Sequence, residues 1–347
     1  FPGDDASPEV MLPTVALLEK LQLPIDFVYP MVGELALAAH GSRFPEGSKA
    51  QVDQADASFF GSTSGQSTEA LFYLRWGKQT YANVRPCQFR PGYRSPMANP
   101  ENIDFVVVRE NLEDLYLGLE GDLTDLAGLN LYSKHAKTSL KDMGAGRYAI
   151  KVITEAGSER VIRFAFELAR KRGGMRKVTL TSKYNMLAKA DGYFRDIGYA
   201  VAKEYPDIGF ETFIVDDFLC RMISNPCALD VVVTPNLYGD IFSDGAAGLI
   251  GGLGLAPSGC YGADYAYFES AHGTAPDIQG QNIINPTATI LSASMMLTYL
   301  GLNEAGNTLE AAISSLYAAG QCIPVDQGGN AKTSEFFQAL NDALGLT

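Results

Sequence analysis

Hydrophobic positions in this chain follow two alternating rhythms. Continuous, β-branched runs at Asp104-Phe-Val-Val-Val-Arg109, Lys177-Val-Thr-Leu-Thr181 and Leu229 to Thr234 predict strands buried on both faces. Between them the spacing becomes helical. Ser158 to Arg172 sets Val161, Phe164, Ala165, Leu168 and Ala169 on one side, with Arg170, Lys171 and Arg172 near its end, where cations favour the helix dipole. Asn285-Pro286 opens another helix, with proline expected at the first helical position, and Gly301 closes it after Met295, Met296, Tyr299 and Leu300. Such alternation predicts an α/β fold. Leu117 to Gly146, with Gly118, Gly121, Gly128 and Gly144, follows neither period and reads as a long functional or partner-binding excursion.

Composition narrows the function classes. The chain's 347 residues, 46% of them hydrophobic, suffice for one large or two ordinary domains. A formal charge of -13 argues against a nucleic-acid partner, because phosphate neutralisation needs a basic surface. No apolar run approaches the roughly 18 to 20 residues that span a bilayer, and the start has no basic-then-apolar signal pattern. A soluble, cytoplasmic protein without a membrane partner is expected, an organelle matrix being the other compartment that fits. Cys87, Cys220, Cys227, Cys260 and Cys322 are odd in number and lack CxxC spacing, so they read as reduced and structural. His40, His135 and His272 do not cluster, which argues against zinc.

Candidate chemistry concentrates in Asn236-Leu-Tyr-Gly-Asp240-Ile-Phe-Ser-Asp244, directly after the Leu229 to Thr234 strand. Carboxylates four residues apart share one helix face and offer hard oxygen ligands to Mg2+ or Mn2+. Taken alone, such a pair is ordinarily a solvated face. Arg75, Arg85, Arg90, Arg94 and Arg109 crowd one stretch of an otherwise acidic chain, and guanidinium forks suit carboxylates. Cation and arginines together point to a small polyanionic acid.

Four motifs then occur in a telling order: Arg75 with Tyr81-Ala-Asn-Val-Arg85-Pro, Val108-Arg109-Glu-Asn-Leu-Glu-Asp-Leu-Tyr116, Asn236 to Asp244, and His272-Gly-Thr-Ala-Pro-Asp277-Ile278. Over nearly its whole length the chain resembles the isocitrate and isopropylmalate dehydrogenase family of β-decarboxylating enzymes. The resemblance implies oxidation of the C2 hydroxyl of a (2R)-malate-type acid by hydride transfer to a nicotinamide, followed by loss of the β-carboxylate as CO2 with Mg2+ or Mn2+ as Lewis acid. It implies that Arg75, Arg85 and Arg109 clamp the malate carboxylates, and that Asp240 and Asp244 bind the metal together with Asp216 from a second subunit. Lys183, expected to be buried beside a cation, would remove the hydroxyl proton, and Tyr116 would protonate the enol carbon. Arg90 and Arg94 match no role in the family and read as surface residues.

The resemblance also implies a cofactor site. His272, Gly273, Thr274, Ala275, Asp277, Ile278 and Asn285 would form the adenosine-binding segment, with Glu269 near the nicotinamide and Asp326 near the adenosine. Met222 to Ala331 contains no lysine or arginine. A 2'-phosphate finds no cation there, while the Asp277 carboxylate can accept hydrogen bonds from a free ribose 2'-hydroxyl, so NAD is expected rather than NADP.

Departures from the family pattern bear on substrate and cofactor. Members open with a strand and a Gly-Asp-Gly-Ile-Gly-Pro-Glu loop; this sequence starts at Phe1 and reads Gly3-Asp4-Asp5-Ala6-Ser7-Pro8-Glu9, so that either the strand was not included or the sheet lacks it, and Asp5 and Ser7 replace two glycines. Where isocitrate enzymes carry serine and asparagine to bind an extra carboxylate, Glu69 and Leu71 stand here. Glu69 would repel a third anion and Leu71 offers apolar contact, as in isopropylmalate enzymes. Pro235-Asn-Leu-Tyr and Gly328-Gly-Asn-Ala-Lys-Thr are nearer to NAD-isocitrate enzymes, and Ser182 replaces a histidine that D-malate and tartrate enzymes also lack.

The architecture implied is isopropylmalate-dehydrogenase-like: a large discontinuous α/β domain from residues 1-96 and 250-347 and a small central α/β domain from 97-249, with residues 117-146 as a dimer clasp. Lys183, Asn185 and Asp216 would reach the neighbouring subunit's site, making a homodimer with shared active sites the working unit, alone or within a larger oligomer. The expected activity is NAD-dependent oxidative decarboxylation of a 3-substituted malate of the isopropylmalate, homoisocitrate or isocitrate type. Two alternatives stand: a D-malate or tartrate dehydrogenase, and a non-catalytic regulatory subunit of an NAD-isocitrate dehydrogenase-like complex, although such subunits typically lose a catalytic or metal residue.

Overall fold

The apolar runs form the middle of one eight-stranded sheet in the computed structural model, which describes residues 1–346. In chain order the strands are β1 (Ala57–Phe59), β2 (Ala82–Gln88), β3 (Asp104–Glu110), β4 (Glu120–Asp122), β5 (Tyr132–Ser133), β6 (Thr138–Ser139), β7 (Arg147–Ala149), β8 (Lys177–Ser182), β9 (Gly209–Ile214), β10 (Val231–Thr234), β11 (Pro257–Tyr261) and β12 (Ala266–Ser270). The helices are α1 (Pro8–Lys20), α2 (Gly33–His40), α3 (Glu46–Gln54), α4 (Thr68–Phe72), α5 (Glu155–Arg172), α6 (Asp191–Ala202), α7 (Val215–Ser224), α8 (Asn236–Ile250), α9 (Thr287–Tyr299), α10 (Asn303–Ala318) and α11 (Thr333–Ala343). The α/β class expected from the sequence is the class observed.

The large sheet runs β1-β12-β11-β2-β3-β10-β8-β9. Its β3-β10-β8-β9 half is parallel and comes from the middle of the chain, whereas β1, β12, β11 and β2 come from its two ends. The halves join through the antiparallel β2–β3 pair, which sets Asn83 opposite Arg109 and Arg85 opposite Val107. Both arginines therefore lie on one face of neighbouring strands.

Each face of the sheet carries its own apolar core. Phe105, Val107, Val232, Phe242, Phe268 and Ile290 lie in the larger cluster, and Val106, Val108, Phe166, Leu180, Phe194 and Val233 in the second. Because alternate residues of β3 and β10 serve opposite clusters, the middle of each strand is apolar without interruption. Helix α5 begins earlier than the hydrophobic period predicts, at Glu155, because the Thr154 hydroxyl caps it by accepting from Gly157 N at 3.1 Å. Its most buried stripe is also rotated: Ile162 and Phe166 are fully buried, while Phe164 and Leu168 are half-buried, since the helix packs against α6 as well as the sheet. Pro286 caps α9 instead of occupying its first turn.

Other expectations change in detail. The excursion after Leu117 is not irregular throughout, for β4 pairs with β7 and β5 with β6 in two short antiparallel ribbons. They bury too few side chains to leave a period in the sequence, and Leu119, Leu129, Leu131 and Tyr132 stay exposed. All five cysteines are free; Cys87 and Cys260 are buried core residues, but Cys220 and Cys227 are exposed and have no structural role in the core. Arg90 is not a free surface charge: it pairs with Glu310 at 2.7 Å and donates to Ser314 at 2.8 Å, tying the end of β2 to α10.

Phe166 stacks on Tyr205 with ring centroids 4.8 Å apart and packs against Phe210. Phe166→Ala is expected to destabilise the protein by about 3–5 kcal/mol, measured as a lower urea midpoint.

Candidate active site

Helix α8 starts directly after buried strand β10, so the Asn236 to Asp244 run leaves the sheet beside β3. Its first turn is held by groups from elsewhere. Leu237 N donates to the Asp114 carboxylate at 3.0 Å, and Asn236 donates from Nδ2 to Glu113 O at 3.1 Å while accepting from Arg109 Nε at 2.8 Å. Gly239 is needed here because a Cβ would stand 2.5 Å from Cβ of Arg109. The Arg109 stem thus lies flush against the helix, and its guanidinium pairs with Asp240 one turn on.

Asp240 is the centre of the cluster. Besides Arg109 it accepts a hydrogen bond from the Tyr116 hydroxyl at 2.5 Å and has Arg85 at 3.6 Å. Arg85 also donates to Ser243 Oγ at 2.8 Å and to Asp244 at 3.3 Å. Arg75, on a π-helical turn after α4, donates from Nε to the Tyr267 hydroxyl at 3.2 Å. Burial pushes the Asp240 carboxyl up, but Arg109, the Tyr116 hydroxyl, Arg85 and Arg75 outweigh it and hold the group below the ordinary aspartate range. Asp244 goes the other way: burial raises it, Arg85 and Arg109 do not compensate, and the neighbouring Asp240 charge adds to the rise. Burial and the bond to Asp240 raise the Tyr116 phenol, and burial raises the Glu269 carboxyl in spite of Arg75, Arg85 and Arg109.

Lys183, Asn185 and Asp216 form a separate group. Lys183 Nζ pairs with the Asp216 carboxylate, Asn185 is exposed, and the Lys183 side chain is 29% exposed, so the burial expected of this lysine is not met within one chain. Among the described residues no three His, Cys, Asp or Glu side chains gather to hold a metal ion, so Asp216 does not join Asp240 and Asp244 within one chain.

The residues expected around a nucleotide follow β12. Asn285 Nδ2 donates to both Asp326 oxygens at 3.1 Å, Asp277 is exposed, and Thr274 is buried. His272 Nδ1 donates to Gly273 O at 2.9 Å, while its Nε2 is buried without a partner. Ala275 and Ile278 pack on Ala6, Val10 and Ile284, so part of this segment is core. The stretch without lysine or arginine is nonetheless not remote from cations, because the Arg94 guanidinium lies beside Gly328, two residues from Asp326. Glu69 is exposed on α4, and Leu71 is half-buried against the cluster of Phe44, Phe60 and Leu74. A cavity of about 1640 Å³ between α1, β1 and the Pro24 to Val32 segment contains none of these residues.

Comparison with known proteins decides the family. The family model for isocitrate/isopropylmalate dehydrogenase matches residues 1–340. The chain belongs to the isocitrate/isopropylmalate dehydrogenase family. It is 42% identical to a 3-isopropylmalate/3-methylmalate dehydrogenase of Methanocaldococcus jannaschii, covering 97% of this chain and 96% of that protein. It is 38% identical to an isocitrate/homoisocitrate dehydrogenase of Thermus thermophilus, over 99% and 96%. An isocitrate dehydrogenase structure from Methylococcus capsulatus superposes with a TM-score of 0.86 at 34% identity, covering 99% of this chain and 97% of that one. The family is one of oxidative, decarboxylating hydroxy-acid dehydrogenases.

For a member of the isocitrate/isopropylmalate dehydrogenase family, the structure adds residues that motif reading passed over. Asp4 accepts from Thr63 Oγ1, Ser64 N and Gln66 N at 2.7, 2.8 and 3.1 Å, fixing the loop that carries α4 and Arg75. Glu9 accepts from Gly280 N and Asn282 N at 2.6 and 3.1 Å, fixing the loop after Asp277. Their signal was their place in the Gly3 to Glu9 loop. Asp5 keeps a left-handed backbone with φ 52°, so the conformation a glycine would supply there is retained without one.

Glu110, next to Arg109, accepts from Leu112 N at 2.9 Å and Glu113 N at 2.7 Å and so shapes the segment leading to Tyr116. Burial raises its carboxyl from 4.5 to about 7. The folded state then binds the proton more tightly than the unfolded chain, so this group's stability contribution is present at low pH and lost as pH rises from 4.5 toward 7. Denaturant titrations are expected to show Glu110→Gln gaining stability relative to wild type between pH 5 and pH 8, by at most about 3 kcal/mol.

Proposed function

We propose that this protein catalyses the NAD-dependent oxidative decarboxylation of a 3-substituted (2R)-malate-type acid to a 2-oxo acid, CO2 and NADH. One observation carries the reading: a carboxylate pair on one helix face, Asp240 and Asp244, set against Arg85, Arg109 and Tyr116. Arg75, Arg85 and Arg109 bind and orient the substrate carboxylates. Asp240 and Asp244 are hard oxygen donors one turn apart, and with Asp216 of a second copy they would hold Mg2+ or Mn2+. A metal bound there supplies a Lewis acid for the substrate's C2 oxygen.

Proton handling belongs to the chain's own side chains. Lys183 of the second copy takes the hydroxyl proton, and a bound NAD would supply the acceptor for the C2 hydride. Tyr116, whose phenol is raised, keeps its proton at neutral pH and delivers it to the carbon that has lost CO2. His272 Nε2, buried and unpartnered, is the kind of open hydrogen-bonding atom an adenosine occupies. The exposed Asp277 carboxylate supports NAD, and initial rates with NAD and NADP test it. Glu69 and Leu71 support a C3 substituent without a third carboxylate. Ser182 gives no support to a D-malate or tartrate activity, since its hydroxyl is buried and donates to Asp191 O at 3.1 Å.

We assign residues 1-96 with 250-347 to one domain and 97-249 to the other, with the ribbons of 117-146 as clasp between two copies. Exposed Leu219, Ile223 and Ile241 on α7 and α8 support that pairing.

A panel of isocitrate, homoisocitrate, isopropylmalate, D-malate and tartrate with Mn2+ is expected to give NADH with at least one 3-substituted malate; silence with effector binding would favour a regulatory subunit. Asp244→Asn should reduce metal-dependent turnover to background with the fold retained. It is the sounder variant, because Asp240→Asn would also leave buried Arg109 without its main counter-charge, a change that costs about 3–5 kcal/mol. Mixing inactive Asp244→Asn with inactive Lys183→Met is expected to restore roughly a quarter of wild-type activity, since one site of each mixed dimer is intact. No recovery would sink the shared site.

A further inference from the structure

Between the Tyr116 and Lys183 groups lies a buried ion cluster that the mechanism above does not use. Lys151 follows β7 at the foot of the ribbon excursion. Its ammonium lies 2.7 Å from Asp191 and 3.4 Å from Asp114; the two aspartate side chains are 0% exposed and the lysine 13%. The same ammonium stands 4.3 Å from the ring centroid of Tyr238 on α8. Four segments distant in sequence therefore meet at one cation.

Each aspartate also holds a functional segment by its backbone. Asp114 accepts from Leu115 N at 2.9 Å and from Leu237 N at 3.0 Å, and its own N donates to Val152 O at 2.9 Å. Its backbone is at φ 69°, ψ −146°, a conformation a non-glycine residue keeps only when its surroundings impose it. Tyr116 follows two residues later. Asp191, the first residue of α6, accepts from Lys183 N at 2.6 Å. Without a cation between them, two buried carboxylates would repel one another and the backbone turns they cap would lose their geometry.

We propose that Lys151 is a positioning residue that locks the Tyr116 segment and the Lys183 segment to one another through Asp114 and Asp191. It touches no reacting atom. Resting on the reading that Tyr116 and Lys183 serve two different sites, this makes one buried cation answerable for a proton donor in its own site and a base in the neighbour's.

Amide hydrogen exchange on the full chain reads the lock directly and needs no turnover. Lys151→Met is expected to speed exchange at least tenfold in residues 112–118 and 182–187 together, with the β3 and β10 amides unchanged and Lys151→Arg restoring both segments. Asp191→Asn should loosen 182–187 alone. In turnover, Lys151→Met should lower kcat at least tenfold with KM within about twofold. Should Lys151→Met fail to fold, the charge-balanced Lys151→Met/Asp191→Asn variant is read at 112–118, which Asp191→Asn alone leaves unchanged. Acceleration of one segment only, of neither, or of the whole chain would overturn the proposal, as would a Lys151→Arg variant that stays loose. Absence of dehydrogenase activity in the wild type would instead overturn the functional reading and leave the exchange result to decide the lock.

Discussion

The pairing of Arg109 with Asp240 is the interaction on which the rest of this site depends. An arginine only 1% exposed cannot stay charged in a sheet without a partner, and Asp240 on the adjoining helix supplies it. That requirement accounts for Gly239, which lets the arginine stem reach the helix, and for Asn236, which holds the guanidinium's third edge. It also accounts for the opposite behaviour of the two carboxylates. Asp240, facing several cations, stays ionised more readily than Asp244, which sees mainly one. Two like groups one turn apart thus differ because of β2 and β3, not because of α8.

The parts of the fold read from sequence were those with a regular period. β3, β8 and β10 are buried on both faces, so their middles lack the polar alternation of a half-exposed strand, and Phe105 to Val108 and Val231 to Val233 are continuous apolar runs. The ribbons between Leu117 and Ala149 bury almost nothing and left no such trace. Arg90 was misjudged for a related reason: its partner Glu310 is remote in sequence, and pairings of that kind arise only once β2 and α10 are packed. The cation-free run from Met222 to Ala331 likewise gives no sign that Arg94 approaches Gly328 from outside it.

Within the site, residues in motifs were legible and residues that hold motifs in place were not. Arg75, Arg85, Arg109, Tyr116, Asp240 and Asp244 come together, but Asp114, Lys151 and Asp191 carry ordinary side chains at positions with no spacing rule. Their importance comes from burial and from backbone amides they accept, neither of which composition reveals. Lys183 and Asp216 stay apart from the carboxylate pair within one chain, so that part of the expected constellation is an intermolecular statement.

The seam between the two halves of the sheet has a consequence for how such a protein can change its substrate. Arg85 and Arg109 project from neighbouring strands, so the width of the grip they offer is a lattice spacing of the sheet and cannot be adjusted by altering side chains nearby. Glu69 and Leu71 stand on a short helix whose preceding loop is pinned by a single carboxylate, Asp4. Under the proposed function, the residues assigned to the part of the substrate common to all malates sit on rigid pleats, while those assigned to the part that varies sit on that short helix. That proposed division is one between a fixed gauge and an interchangeable jaw, in which selectivity changes through a few substitutions on the helix at constant chemistry.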